Sequence, residues 1–392
     1  MGRPGVLALC LALAVTAPAA GQDWYKLFAS RYGDPRAHLF DGTKCSPGWT
    51  YAYYPRAYLS AYRAKKDTKW LDALVVRIDN LIDEMRDTPV PGSPVCPTGK
   101  FWAGYRDGFK GWGAKSPGGY DEFMVHDGHV CVPIARFVKT VYADPALHAK
   151  YKAKADRYLK MLEGHVIAKW HASWGAKRGK GIALRTWGGW RNLPHNMYLG
   201  FGTLLLVLHE VTQSPQYTPT RPDFPKFYLR EATEMARFFK GKLKLLPEKD
   251  AYVWMYMEPE SDPTPRPEDA GHANLDVEFA LRAFHLGIVF DERDMKRLAR
   301  TVTEVLWNGD ERQPEFRSHL DFKYGSEVGE TYFFRWLWLY EVDPRIGRLI
   351  GRHMARYPRR GGQCEMCANL ACWQAGVRED DYAKRPPRGK KK

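Results

Sequence analysis

Residues able to do acid–base chemistry crowd one short stretch, Pro267-Glu-Asp-Ala-Gly-His-Ala-Asn-Leu-Asp276, which holds Glu268, Asp269, His272 and Asn274. Ahead of it, Pro259 to Pro267 carries four prolines in nine residues, which excludes helix interior. Behind it, Leu275, Phe279, Leu281, Ala283 and Leu286 recur with helical spacing, so the pattern predicts a helix beginning near Asp269. A loop-to-helix boundary offers free backbone N–H groups and a positive dipole end, both suited to an anionic ligand. His272 is a candidate for proton abstraction or carboxylate neutralisation, with Glu268 or Asp269 to orient its ring. The plainer alternative is that Asp269 caps the helix and His272 is an ordinary polar residue.

Other clusters share this placement. In Leu193-Pro-His-Asn-Met197, Asn196 starts an apolar helix and is either a neutral donor to a carboxylate or a helix cap. His195 is a base or a second carboxylate contact. In Phe322-Lys-Tyr-Gly-Ser326, Tyr324 precedes a helix, and Lys323 could depress its pKa; Tyr332 falls inside that helix and reads as core. His126-Asp127-Gly-His129 has spacing that could suit metal ligands, but subsite contacts or capping explain it more simply. No metal and no cofactor is expected. Arg185, Trp187, Trp190 and Arg191 read as exposed subsite residues, stacking on sugar rings and pairing with carboxylates.

The elements that must position these residues are helices. Tyr51–Arg63 and Lys69–Asp87 form a first pair, Gly128–Tyr142 and Pro145–Ala168 a second, followed by His195–Val211 and Lys226–Lys240. Asp269–Leu286 and Glu292–Trp307 come next, and Gly325–Tyr340, Pro344–Arg356 and Glu365–Ala375 close the chain. Gln22 to Pro47 reads as an irregular entry and Thr88 to Tyr120 as a long loop with aromatic residues. Lys244–Met257 holds one or two short strands, because Ala251-Tyr-Val-Trp-Met-Tyr256 is β-prone. Helical hairpins over this length imply a solenoid or a closed α/α toroid. No repeat length recurs, which favours an all-α (α/α) toroid with at most a few short strands, its alternate loops converging on one end.

Composition narrows the partners. The chain has 392 residues, a formal charge of +15, 14 Trp and 22 Tyr. Residues 1–20 have the pattern of a cleavable secretory signal: Arg3, an apolar run from Val6 to Val15, then small residues. The expected organisation is therefore a signal over 1–20, one catalytic domain over 21–380 and a disordered basic tail over 381–392, with a secreted or periplasmic location. No later stretch is apolar enough to span a membrane. Much of the positive excess lies outside the tail and favours an anionic partner. In an exported protein that partner is an acidic polysaccharide and not nucleic acid. Cys10 lies in the signal; the remaining Cys45, Cys96, Cys131, Cys364, Cys367 and Cys372 are even in number and suggest disulfides, with zinc at Cys364, Cys367 and Cys372 as the alternative.

Arg266-Pro-Glu-Asp-Ala-Gly-His272-Ala-Asn-Leu-Asp276, together with Leu193-Pro-His-Asn-Met197, resembles the α/α-toroid polysaccharide lyases that cleave glucuronan or alginate. The hairpin that starts Tyr54-Pro-Arg-Ala-Tyr-Leu-Ser-Ala-Tyr-Arg63 resembles the first hairpin of many such toroids. The resemblance covers most of the chain after residue 45 and implies β-elimination on a uronic acid polymer. The family places an Asn, a His and a Tyr around the uronate: Asn196 and His272 match its motifs, no motif fixes the Tyr, and Tyr324 is the candidate by its own placement, with Tyr or His as base and acid. Arg266, Glu268, Asp269, His126 and His129 are the further expected substrate contacts. A toroidal glycoside hydrolase drawing on Asp127, Asp269 or Asp276, a uronate epimerase and a non-catalytic polysaccharide-binding protein are the competing readings.

Overall fold

Apolar residues at helical spacing bury one face of each predicted helix, and the computed structural model forms helices at nearly all of those positions. It describes residues 22–37, 39–41, 47–86, 108–116, 119–173, 190–258, 264–321, 332–357 and 363–379. The helices are α1 (Trp24–Tyr32), α2 (Pro47–Thr50), α3 (Tyr53–Lys65), α4 (Lys69–Asp83), α5 (Met124–Ala143), α6 (His148–Met161) and α7 (Ala168–Ser173). There follow α8 (His195–Val211), α9 (Phe224–Lys242), α10 (Ala273–His285), α11 (Glu292–Arg300), α12 (Arg345–Arg356) and α13 (Gln363–Gln374), with a 3-10 helix at Trp336–Glu341 between α11 and α12. Two antiparallel ladders are small: β1 (Ala114–Ser116) with β2 (Gly119–Asp121), and β3 (Lys244–Leu246) with β4 (Ala251–Val253). The fold is all-α.

Contacts between elements run in a closed order. α3 touches α5, α5 touches α8, α8 touches α10, α10 touches the 336–341 helix, and that helix touches α13, which packs back on α3. Each of these inner elements carries an outer partner: α4 on α3, α6 on α5, α9 on α8, α11 on α10, α12 on the 336–341 helix and α1 on α13. The α5–α8 crossing brings backbone against backbone. A Cβ on Gly128 would lie 2.5 Å from the Gly200 carbonyl carbon and 2.5 Å from the Phe201 nitrogen. Backbone cannot move aside as a flexible side chain can. Gly128→Ala is expected to cost about 1–3 kcal/mol by overpacking, read as a lower denaturant midpoint; an unchanged midpoint would show that the helices separate freely.

Between the inner elements runs a network of buried charges. Glu278 accepts from Arg56 at 2.7 Å and forms ion pairs with Arg136 at 3.0 Å and Arg335 at 3.1 Å. Glu379 pairs with Arg63 at 3.3 Å, Arg282 at 2.9 Å and also Arg136. Glu210 joins Lys139 at 2.5 Å and Arg282, and Glu365 joins Arg335 at 3.3 Å. Charge this deep persists only where it is paired.

Several sequence expectations need correction. Gln22 to Pro47 is not wholly irregular: Trp24 and Phe28, one turn apart, are buried in α1, and Asp23 caps it by accepting from the Lys26 N–H at 2.9 Å. α5 begins at Met124, ahead of the predicted Gly128, which carries His126 and His129 into the helix. Of the predicted Gly325–Tyr340 helix, the described part is a turn followed by the short 3-10 helix. Tyr332 is not core; it is 40% exposed. Cys131, Cys364, Cys367 and Cys372 are buried thiols outside any disulfide, and among the described residues they do not come together as a group of metal ligands; Cys372 Sγ donates to the Ser60 carbonyl at 3.0 Å. Cys45, Cys96, the expected signal over 1–20 and the expected tail over 381–392 lie outside the described residues. No described helix is long and apolar enough to cross a membrane.

Candidate active site around His272 and Trp49

The turn that delivers His272 is built by Asp269. Its Oδ1 accepts the His272 backbone N–H at 2.8 Å, and its Oδ2 lies 2.6 Å from His272 Nδ1. One carboxylate therefore closes the turn before α10 and also fixes the imidazole, whereas α10 itself, with His272 as its N-cap, has no side-chain cap. With Nδ1 held as a donor to a carboxylate, Nε2 is the basic atom. The turn is held from both sides: Glu268 N–H donates to the Trp254 carbonyl at 3.0 Å, Ala270 N–H to Ser318 at 2.8 Å, and Leu320 N–H to Glu268 at 2.9 Å. Asn274 Nδ2 donates to the Tyr332 carbonyl at 2.5 Å, and its Oδ1 accepts from the Arg335 N–H at 2.9 Å, which ties the 332–335 segment to the same turn.

Trp49 brings the distant parts together. Its ring meets His126 at 5.9 Å, His129 at 5.7 Å and His272 at 5.7 Å, all nearly edge-on. Gly48 makes this possible, because a Cβ there would lie 2.9 Å from the His126 Cα. On the other side of His272 stands Tyr256, ring to ring at 5.4 Å, with the Arg266 guanidinium 4.2 Å above that tyrosine ring. Tyr53 meets His129 at 5.1 Å and Phe334 at 5.4 Å, and Phe334 meets Tyr332 at 5.6 Å. His272, Trp49, Tyr256, Arg266 and Tyr332 thus form one partly exposed aromatic and basic surface.

The electrostatics separate the histidines. Burial pushes His126 down to about 4, against the nearby Asp127. Burial, with Arg335 and Arg56 close by, holds His129 well below the ordinary range; this neutral ring accepts from Arg335 Nη2 at 2.5 Å. His126 and His129 are 3% and 1% exposed, so they line the floor beneath Trp49 and are not the surface contacts expected. Burial raises the Asp269 carboxyl, but the hydrogen bonds and charge of His272 outweigh it and hold Asp269 below its usual range. Tyr256 is raised by burial and by Glu268, which keeps its phenol protonated.

Other expected site residues fall elsewhere. His195 is buried, its Nδ1 2.7 Å from the Tyr198 hydroxyl and its ring packed between Phe238 and Phe239, and burial lowers it to about 3. That enclosure argues against its expected role as base. Its backbone N–H donates to the Tyr256 carbonyl at 3.0 Å, so the start of α8 adjoins the His272 surface through the Tyr256 segment. Asn196 is likewise buried; its Oδ1 has no hydrogen-bond partner among the described residues, and the α8 N-cap, Pro194, makes no side-chain cap. Trp190 is 5% exposed and packs on Tyr198 and Phe238, so it is a core residue and not a sugar platform. Arg191 is exposed, over Trp190 at 4.5 Å and 3.8 Å from Glu234. Arg185, Trp187 and Tyr324 lie outside the described residues. Trp49 and Tyr256 were not read as site residues from sequence; Pro47-Gly-Trp49 was the one local hint, an aromatic directly after a turn pair.

Among the described residues, Glu268, Asp269 and His272 place potential metal ligands within 4.8 Å of one another. The Asp269–His272 bond occupies two of those atoms and would have to open for an ion. Comparison with protein-family models finds none that matches this chain, and no curated protein matches it.

Proposed function

We propose that this protein is a polysaccharide lyase that cleaves a uronic acid polymer by β-elimination, on an α/α toroid. The closed order of inner helix contacts, each with an outer partner, supports the toroid. One observation carries the chemistry: a partly exposed imidazole whose Nδ1 is fixed on a carboxylate, set among tyrosines, a tryptophan and an arginine. Elimination needs a base for the C5 proton, a donor to the neighbouring carboxylate and an acid for the leaving C4 oxygen. His272 Nε2 is the base, and Arg266 pairs with the carboxylate. The acid is a phenol, either Tyr256 against the His272 ring or the exposed Tyr332 beside Gly271. Trp49 stacks on the sugar.

The hydrolase reading loses support on the same grounds. Of its carboxylates, Asp127 is enclosed, bonded to Trp170 Nε1 at 2.7 Å and Lys169 at 2.7 Å, and Asp276 is fully buried. Neither can reach a glycosidic bond. The test is incubation with glucuronan, alginate and glycosaminoglycans while following ultraviolet absorbance of the unsaturated uronate product. Absorbance should rise with one of them, and Tyr256→Phe and Tyr332→Phe identify the acid. Saturated products or no cleavage of any polymer would refute the lyase.

A further inference from the structure

Beneath the His272 turn lie two acids that the proposed reaction does not use. Glu268 and Asp276 are both 0% exposed. Both are tied to Trp254: the Glu268 N–H donates to the Trp254 carbonyl at 3.0 Å, and the Trp254 indole N–H donates to Asp276 Oδ2 at 2.9 Å. Glu268 Oε1 accepts the Asp269 N–H at 3.0 Å. The remaining oxygens, Glu268 Oε2 and Asp276 Oδ1, are buried with no donor among the described residues, although the two side chains are within hydrogen-bonding reach of each other. Two carboxylates cannot hydrogen-bond, because each only accepts. One proton between them resolves both orphans.

We propose that Glu268 and Asp276 share a single proton and form a pH-responsive latch beneath the turn that carries Asp269 and His272. The surrounding groups leave no simpler solution. From the turn itself come Asp269 and His272, from α8 Tyr198 with His195 bonded to it, from the 254–258 segment Tyr256 and Glu258, and from the 316–320 segment His319. Among the described residues, neither Glu268 nor Asp276 makes an ion pair with lysine or arginine. Removing the shared proton would leave two like charges facing each other in a site closed to water. The inference does not depend on the proposed activity, because its readout is stability.

The sign follows from the direction of the shifts. Burial raises Asp276 to about 7, and burial with the Asp276 and Asp269 charges raises Glu268 well above its ordinary range. Groups raised on folding stabilise fully below their unfolded pKa, and that contribution is lost as pH climbs through the folded value. The buried neutral histidines His126, His129 and His195 act oppositely, but they are common to wild type and variant and cancel in the difference. In Asp276→Asn the amide oxygen still accepts from Trp254, and the amide N–H donates permanently to Glu268.

The experiment is thermal unfolding of wild type and Asp276→Asn across acid, neutral and alkaline buffers. The variant should gain several degrees over wild type as pH rises from the ordinary carboxylate range past neutrality. A difference that stays constant with pH would overturn the proposal. Infrared difference spectra supply a second test: wild type at neutral pH should show a protonated-carboxyl stretch that disappears in Glu268→Gln, and its absence from wild type would also overturn it. Zinc or manganese raising the wild-type midpoint but not that of Asp276→Asn would assign the pair to a metal and refute the shared proton.

Discussion

His272→Ala is expected to lower turnover on the responsive uronate polymer by about 10²–10⁴-fold, the usual contribution of a positioned general base, while polymer binding falls little. Binding survives because Trp49, Tyr256 and Arg266 each keep contacts beyond the imidazole: Trp49 also meets His126 and His129, the Tyr256 backbone bonds to Arg266 and His195, and Arg266 lies over the Tyr256 ring. Asp269→Asn makes the sharper test. An asparagine oxygen can still accept the His272 backbone N–H that Asp269 Oδ1 accepts at 2.8 Å, so the turn closes as before. Its amide, however, would present N–H to His272 Nδ1, forcing Nδ1 to accept and Nε2 to carry the proton. A histidine in that tautomer cannot act as base. Turnover should then fall nearly as far as in His272→Ala, with the unfolding midpoint close to wild type. Added free imidazole should restore part of the His272→Ala rate and none of the Asp269→Asn rate. If Asp269→Asn kept full activity, the bond at 2.6 Å would only shape the turn, and His272 would not be the base.

The Asp269–His272 pair was legible in the sequence because its two members are three residues apart at a helix start, where local rules govern. The same holds for α8: Leu204-Leu-Leu-Val-Leu208 and the proline before His195 mark the helix, and it runs from His195 to Val211 as read. α5 was placed too late because Phe123, its N-cap, makes no side-chain cap, so no start signal precedes His126. Burial misled more than helicity did. Trp112 and Trp190 stand among glycines and basic residues, a setting that reads as exposed surface, yet Trp112 is buried with its indole N–H on the Leu81 carbonyl at 2.7 Å. Local composition does not report which tertiary neighbour covers a side chain. Trp49 illustrates the converse: what makes it part of the site is its contact with three imidazoles from two other segments, and no spacing within residues 47–50 encodes that. The charged centre was illegible for the same reason, since nothing in the local sequence around Arg56, Arg136, Arg282 and Glu379 reports that they are buried together.

Glu379→Gln is expected to destabilise the protein by about 3–5 kcal/mol, the cost of breaking a buried ion pair while its partners stay buried. Glu379 is 1% exposed, and its carboxylate takes Arg63 at 3.3 Å, Arg282 at 2.9 Å and Arg136 as well, while its own N–H donates to Glu341. Arg63 also donates to the Glu379 carbonyl at 3.2 Å. Three guanidinium groups from α3, α5 and α10 would thus lose one anion at once; Arg282 would be left sharing Glu210 with Lys139, and Arg136 sharing Glu278 with Arg56 and Arg335. Glutamine keeps the volume and one acceptor, so the effect reports charge and not a cavity. The pH dependence checks the cause. Burial raises the Glu379 carboxyl, but Arg136, Arg282 and Arg63 outweigh it and hold it far below the usual range. A carboxyl depressed on folding stabilises above its unfolded pKa and loses that contribution as pH falls toward the folded value. The wild-type advantage over Glu379→Gln should therefore shrink in acid and be full at neutral pH. Two truncations locate the effect along the chain: ending at Asp380 should leave the midpoint unchanged, whereas ending at Val377 should lower it at least as far as Glu379→Gln. Equal midpoints for the two truncations would mean that the arginines find water or another carboxylate, and that the C-terminal segment only lies on the inner helices without neutralising their charge.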